Sequence, residues 1–76
     1  MNILITGAGL IGSHCARQAV DAGNKIVLFD LSPNRDYLQK VVGKDRADVV
    51  AADMRDLPAL ISAMERYYVD TVVHTA

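Results

Sequence analysis

Glycines stand at Gly7, Gly9 and Gly12, and two aspartates, Asp30 and Asp53, each close an apolar run. Glycines spaced Gly-x-Gly-x-x-Gly have separate tasks when they join a strand to a helix. The first lets the chain turn sharply out of the strand. The second has no β-carbon, so backbone can approach a diphosphate, and the third lets helix and strand pack closely. The helix N-terminus then offers free N–H groups and a partial positive charge to phosphate oxygens. Leu10 and Ile11 supply those amides through their backbone. Asp30, 18 residues beyond Gly12, suits both hydroxyls of an adenosine ribose and repels a 2′-phosphate, which favours NAD over NADP. Arg35 is the counter-evidence, since an arginine nearby can bind such a phosphate. Asp53 suits the adenine amino group, with Met54 packing beside the ring. Thr75 and Ala76, small residues leaving the last apolar run, let a dinucleotide pass close. The plainer alternatives are a solvated loop residue for Asp30 and a turn residue for Asp53, with Asp56 the better helix cap.

These residues need a scaffold, and the chain carries one as an alternation of two periodicities. Ile3-Leu4-Ile5, Ile26-Val27-Leu28-Phe29, Val49-Val50-Ala51-Ala52 and Thr71-Val72-Val73 are continuous apolar runs. Such runs suit strands covered on both faces, as in a parallel sheet. Asp30 and Asp53 are expected at the ends of the second and third strands. Between the runs, Leu10 to Ala22 reads as a helix whose apolar face is Ile11, Cys15, Ala19 and Ala22, stopped by Gly23. His14 falls on the polar face, and Cys15 is expected in the core. A helix from about Asn34 to Val42 carries Tyr37, Leu38, Val41 and Val42 and is closed by Gly43. A third, Leu57 to Tyr68, carries Leu57, Leu60, Ile61, Met64 and Tyr68, with Asp56 as cap and Pro58 tolerated in the first turn. The order β-α-β-α-β-α-β, with right-handed crossovers, predicts an α/β fold: a Rossmann-type, doubly wound parallel half-sheet of strand order 3-2-1-4.

Bulk properties narrow the partners. Of the 76 residues, 51% are hydrophobic, and the formal net charge is −1 from eight basic and nine acidic side chains. The charges are mixed in sign without runs, which argues against nucleic acid or a membrane surface as a partner chosen by electrostatics. No segment approaches the ~18 apolar residues of a membrane span, and no signal peptide is visible. The lone cysteine fits a reducing compartment, so a cytoplasmic location is expected. Two histidines and one cysteine with no shared spacing form no metal site.

The run Thr6-Gly7-Ala8-Gly9-Leu10-Ile11-Gly12-Ser13-His14 resembles the opening of the extended short-chain dehydrogenases/reductases, which include the NAD-dependent nucleotide-sugar epimerases and dehydratases. Asp53-Met54-Arg55-Asp56 resembles their adenine-side aspartate turn, and Asp70-Thr71-Val72-Val73-His74-Thr75-Ala76 their fourth strand. The first glycine step, Gly7-x-Gly9, is one residue shorter than that family's usual step. The resemblance implies NAD as cofactor and transient hydride transfer at a sugar carbon. It also implies a tyrosine base helped by a lysine four residues on. No Tyr-x-x-x-Lys occurs here: Tyr37 is followed by Val41, Tyr67 by Thr71 and Tyr68 by Val72. Residues 1–76 are therefore expected to be the N-terminal part of a dinucleotide-binding domain, a fragment of a longer protein and inactive alone. A rival of another class, the nucleotide-sensing domain of a potassium channel or transporter, shares the strand–glycine–helix–strand–Asp pattern. The shorter glycine step suits that rival, whereas Thr6, Ser13-His14 and the His-x-Ala ending suit the dehydrogenases. An apolar fourth strand at a sheet edge also predicts self-association.

Overall fold

The computed structural model describes residues 1–75. Four strands and three helices alternate: β1 (Asn2–Thr6), α1 (Leu10–Asp21), β2 (Lys25–Asp30), α2 (Arg35–Val41), β3 (Asp48–Ala51), α3 (Leu57–Arg66) and β4 (Thr71–His74). The strands form one parallel sheet in the order β3-β2-β1-β4. This is the doubly wound half-sheet expected from the alternation of apolar runs and amphipathic stretches.

Alternation along the central strands divides the core into two layers. Ile5, Ile26 and Leu28 pack with Ala8, Ala16, Leu38 and Val42 on the side of α1 and α2. Leu4, Val27 and Phe29 pack with Ala63 on the side of α3. Both faces of β1 and β2 are thus covered, which is why their sequences are continuously apolar. The outer strands are less enclosed: Val49 and Val50 of β3 are half-buried, and Val72 and Val73 of β4 are exposed.

Helix boundaries follow local chemistry. Asn34 caps α2 by accepting from the Tyr37 amide at 3.1 Å, and Asp56 caps α3 by accepting from the Ala59 amide at 3.2 Å. Gly23 and Gly43, at φ 91° and 113°, take the left-handed turns after α1 and α2. Arg46 ties the loop before β3 to Asp21 of α1, and donates to the Val42 carbonyl at 3.0 Å. Its guanidinium holds the Asp21 carboxyl below the ordinary carboxylate range.

Two apolar stripes fall elsewhere than expected. On α1 the buried residues are Gly12, Ser13 and Ala16, whereas Ile11 and Cys15 are exposed. The helix crosses the turn after β1 so closely that only small residues fit between, and the larger side chains are turned outward. Cys15 is accordingly not a core residue. On α3 the buried or half-buried residues are Ala59, Leu60, Ala63, Met64 and Tyr67, while Leu57, Ile61 and Tyr68 are exposed. Tyr68 lies past the helix end at φ 52°, which removes it from the helical face.

Candidate functional site

The site begins where β1 ends. Gly7, at φ 92°, turns the chain into α1, in a conformation that L side chains rarely adopt. A β-carbon on Gly12 would lie 1.8 Å from the Gly7 carbonyl oxygen, so that position is closed to any side chain. Gly9 differs from both. Its φ of −81° is ordinary, and a β-carbon there would meet nothing within 4 Å. The fold does not require glycine at position 9, and the space above its backbone is open.

Gly9 is the N-cap of α1. No side chain caps this helix end, and no acidic residue lies in its first turn. The opening amides, those of Leu10 and Ile11 among them, therefore have no side-chain cap, and no acidic residue of the helix itself faces the positive end of its dipole. The side chains of Leu10 and Ile11 are exposed. Ser13, one turn on, is fully buried; its hydroxyl donates to the Leu10 carbonyl (3.0 Å) and accepts from the Tyr37 hydroxyl (3.2 Å).

Asp30 ends β2 beside this turn, as its place after the apolar run implies. Its Oδ2 accepts from the Ala8 amide at 2.6 Å and its Oδ1 from the Ser32 amide at 3.1 Å. A carboxylate offers about four acceptor positions, so two backbone donors leave two for a ligand. The carboxylate is thus a ready acceptor for paired hydroxyls and also a brace on the glycine turn.

Asp53 does not end β3, as the sequence suggests. The strand stops at Ala51, and Asp53 occupies the turn before α3. An aspartate that bonds its own backbone makes a turn in preference to a strand: Asp53 Oδ1 accepts from the Arg55 amide at 2.8 Å, and the Asp56 amide donates to the Asp53 carbonyl at 2.9 Å. Arg55 closes on the same carboxylate, with Nε 3.1 Å from Oδ1 and 3.2 Å from Oδ2, and Nη2 2.8 Å from Oδ2. These bonds lower the Asp53 pKa to about 2, the guanidinium contributing most and the backbone amide next.

A cleft of about 410 Å³ joins the parts, lined by Gly7, Phe29, Asp30, Leu31, Asp53, Met54 and Arg55. The volume lies within the ordinary range for a small-molecule site. It brings together Asp30, Asp53 and Met54, three residues separated by up to 24 positions in sequence. Thr75 approaches from β4: its hydroxyl donates to the Thr6 carbonyl at 2.6 Å, a bond shared with the Gly7 carbonyl at 3.2 Å, pinning the glycine turn from the other side. His74 lies at the sheet with Nδ1 2.6 Å from the Thr6 hydroxyl. Ala76 lies outside the described residues. Leu31 and Arg55 also line the cleft; the sequence marks Arg55 only as part of the Asp53-Met54-Arg55-Asp56 turn, with no role of its own, and does not mark Leu31. For Arg55 the available signal is its position, opposite in charge and two residues after a turn aspartate. Among the described residues no cluster of His, Cys, Asp and Glu suits a metal ion, and no helix is long and apolar enough to cross a membrane.

Residues 3–76 match the family model described as the NAD dependent epimerase/dehydratase family. The chain is 33% identical over 82 residues to a UDP-glucose 4-epimerase of Bacillus subtilis, covering all of this chain and 24% of that protein. Among solved structures it is similar to the UDP-glucose 4-epimerase of Stenotrophomonas maltophila with bound NAD and formylated UDP-arabinopyranose. That match has a TM-score of 0.86 and 32% identity over all of this chain and 24% of the other. It is also similar to the UDP-glucose 4-epimerase of Brucella ovis in complex with NAD (TM-score 0.81, 33% identity, 99% and 22% coverage). The chain therefore spans about a quarter of the length of these relatives.

Proposed function

The chain belongs to the NAD-dependent epimerase/dehydratase family, and from that premise we propose that it is the N-terminal, NAD-holding part of a nucleotide-sugar epimerase or dehydratase. The observation that carries this reading is the contrast between Gly9 and Gly12. Gly12 is glycine because the fold leaves no room for a β-carbon, whereas Gly9 is glycine where the fold leaves ample room. The chemistry that calls for bare backbone at Gly9 is therefore chemistry with a ligand, and the uncapped end of α1 makes that ligand an anion.

In this reading the amides of Leu10 and Ile11 hold the pyrophosphate. Asp30 holds the adenosine ribose with the two acceptor positions left to it, and its negative charge disfavours a 2′-phosphate. Asp53 and Met54 meet the adenine, and Thr75 keeps the glycine turn in place. When bound, NAD supplies reversible hydride transfer. The residues of this chain bind and orient; none of them moves a proton in the reaction. A Tyr-x-x-x-Lys pair is absent from these 76 residues, so the catalytic groups and the nucleotide-sugar pocket belong to another part of the protein. The family match weighs against a channel-regulating role.

The test is titration of the chain with NAD and NADP by calorimetry or by amide chemical shifts. NAD binding should shift the amides of residues 7–12. Gly9→Ala should weaken NAD at least tenfold, by about 1.4 kcal/mol or more, with the fold intact. Unchanged affinity in Gly9→Ala, or a preference for NADP, would refute the assignment.

A further inference from the structure

Arg55 poses a physical question. Its side chain is 87% exposed, and exposed ion pairs contribute little to stability. Yet it grips Asp53 along the whole edge of the carboxylate, through Nε and Nη2, while its backbone amide holds Oδ1 from the other side. Three N–H donors thus make four contacts with a group that has about four acceptor positions. Because the single Nε–H is shared between the two oxygens, one position is left, on Oδ2. Both residues line the cleft with Met54, so the remaining position is available to a donor inside it.

We infer that Arg55 is a positioning residue for base recognition: it locks the Asp53 carboxylate in one orientation, leaving a single acceptor for the exocyclic amine of adenine. The inference rests on the reading of the cleft as the adenine end of a dinucleotide site. A free aspartate in a turn can rotate and present either oxygen, as donor-free acceptor or as a partner for water. A clamped one presents a fixed lone pair, which rewards a base carrying an N–H at that place and penalises one carrying a carbonyl, where two acceptors would face each other. The fork geometry matters as well as the charge, because an ammonium cannot bridge both oxygens as a planar guanidinium does.

The experiment compares NAD with nicotinamide hypoxanthine dinucleotide, which replaces the amine with a carbonyl. Both are titrated into the unaltered chain, Arg55→Gln and Arg55→Lys, with circular dichroism confirming the fold of each. The unaltered chain should prefer NAD by about tenfold. In both variants the preference should fall to about threefold or less, through weaker binding of NAD and equal or tighter binding of the hypoxanthine dinucleotide. A full preference in Arg55→Gln would overturn the inference, and so would equal weakening of both nucleotides, which is what a general attraction of the cation for phosphate produces. A full preference in Arg55→Lys would show that charge alone suffices and would overturn the fork. If the unaltered chain bound both nucleotides equally, the inference would fall while the dinucleotide site stood. If it bound neither, the reading of the site itself would fall.

Discussion

At the scale of single residues, the site is built from groups whose hydrogen bonds are only partly spent within the fold. Asp30 uses two acceptor positions on the Ala8 and Ser32 amides and keeps two. Asp53 takes three N–H donors of Arg55, one of them shared between its two oxygens, and keeps one position. The Asp53 pKa measures how tightly its clamp is closed. The carboxyl is held near 2 in the folded chain, against an ordinary value of about 3.9. A depressed folded pKa means that the contribution of the clamp is fully present above the ordinary value, and is lost as pH falls through about 2. Between neutral pH and about 5 the Asp53–Arg55 turn therefore lends the fold no pH dependence. Carbon NMR of the Asp53 carboxyl should give a midpoint near 2, moving up toward about 3.9 in Arg55→Gln. A midpoint already at the ordinary value in the unaltered chain would show the clamp to be open in solution.

At the scale of elements, α1 explains both what the sequence made legible and what it hid. The glycine turn is legible because spacing and position coincide: Gly7 and Gly9 stand between an apolar run and a helical stretch, Gly12 stands in that helix's first turn, and a backbone requirement leaves a mark in residue type. The four strands were legible for the same reason, being uniformly apolar between polar punctuation. The buried face of α1 was hidden because a stripe is sought among large side chains, and this helix buries Gly12, Ser13 and Ala16 while exposing Ile11 and Cys15. Close approach, set by the β1 turn three-dimensionally adjacent to it, selects for smallness, which hydropathy does not register. Asp53 lies in a turn and not at the strand end that its apolar run suggests, because its partner, the amide and guanidinium of Arg55, lies forward in sequence. The two inner glycines should separate in stability. Gly12→Ala drives a methyl into the Gly7 carbonyl and should cost at least about 1–3 kcal/mol, the ordinary penalty of overpacking. Gly9→Ala loses only the capping preference of glycine, about 1 kcal/mol or less. Urea unfolding of the two variants checks the order, and equal losses would mean that α1 sits farther from the turn than described.

At the scale of the whole molecule, the sheet has two free edges among the described residues, and they differ in kind. β3 is four residues long, opens on the exposed Asp48 and is partly shielded by half-buried Val49 and Val50. β4 also has four residues, yet offers Val72 at 45% and Val73 at 37% exposure, with its far side bonded to nothing described. A charged residue on an edge discourages pairing, whereas an apolar edge with free amides and carbonyls invites it. The register places Val72 beside Leu4 and Val73 beside Ile5, so the two valines extend the apolar layers of both faces and a second strand laid against β4 would continue both. In relatives about four times as long, more chain is available to cover such an edge; for the 76 residues alone, the available apolar strand is another β4. We propose that this chain self-associates through Thr71–Thr75. Sedimentation equilibrium should show a mass rising with concentration, and Val73→Lys, which replaces an exposed apolar side chain of the edge strand by a charge, should return the chain to monomer with its helix and strand content unchanged. A strict monomer at high concentration, or association that persists in Val73→Lys, would show that the edge is not the contact.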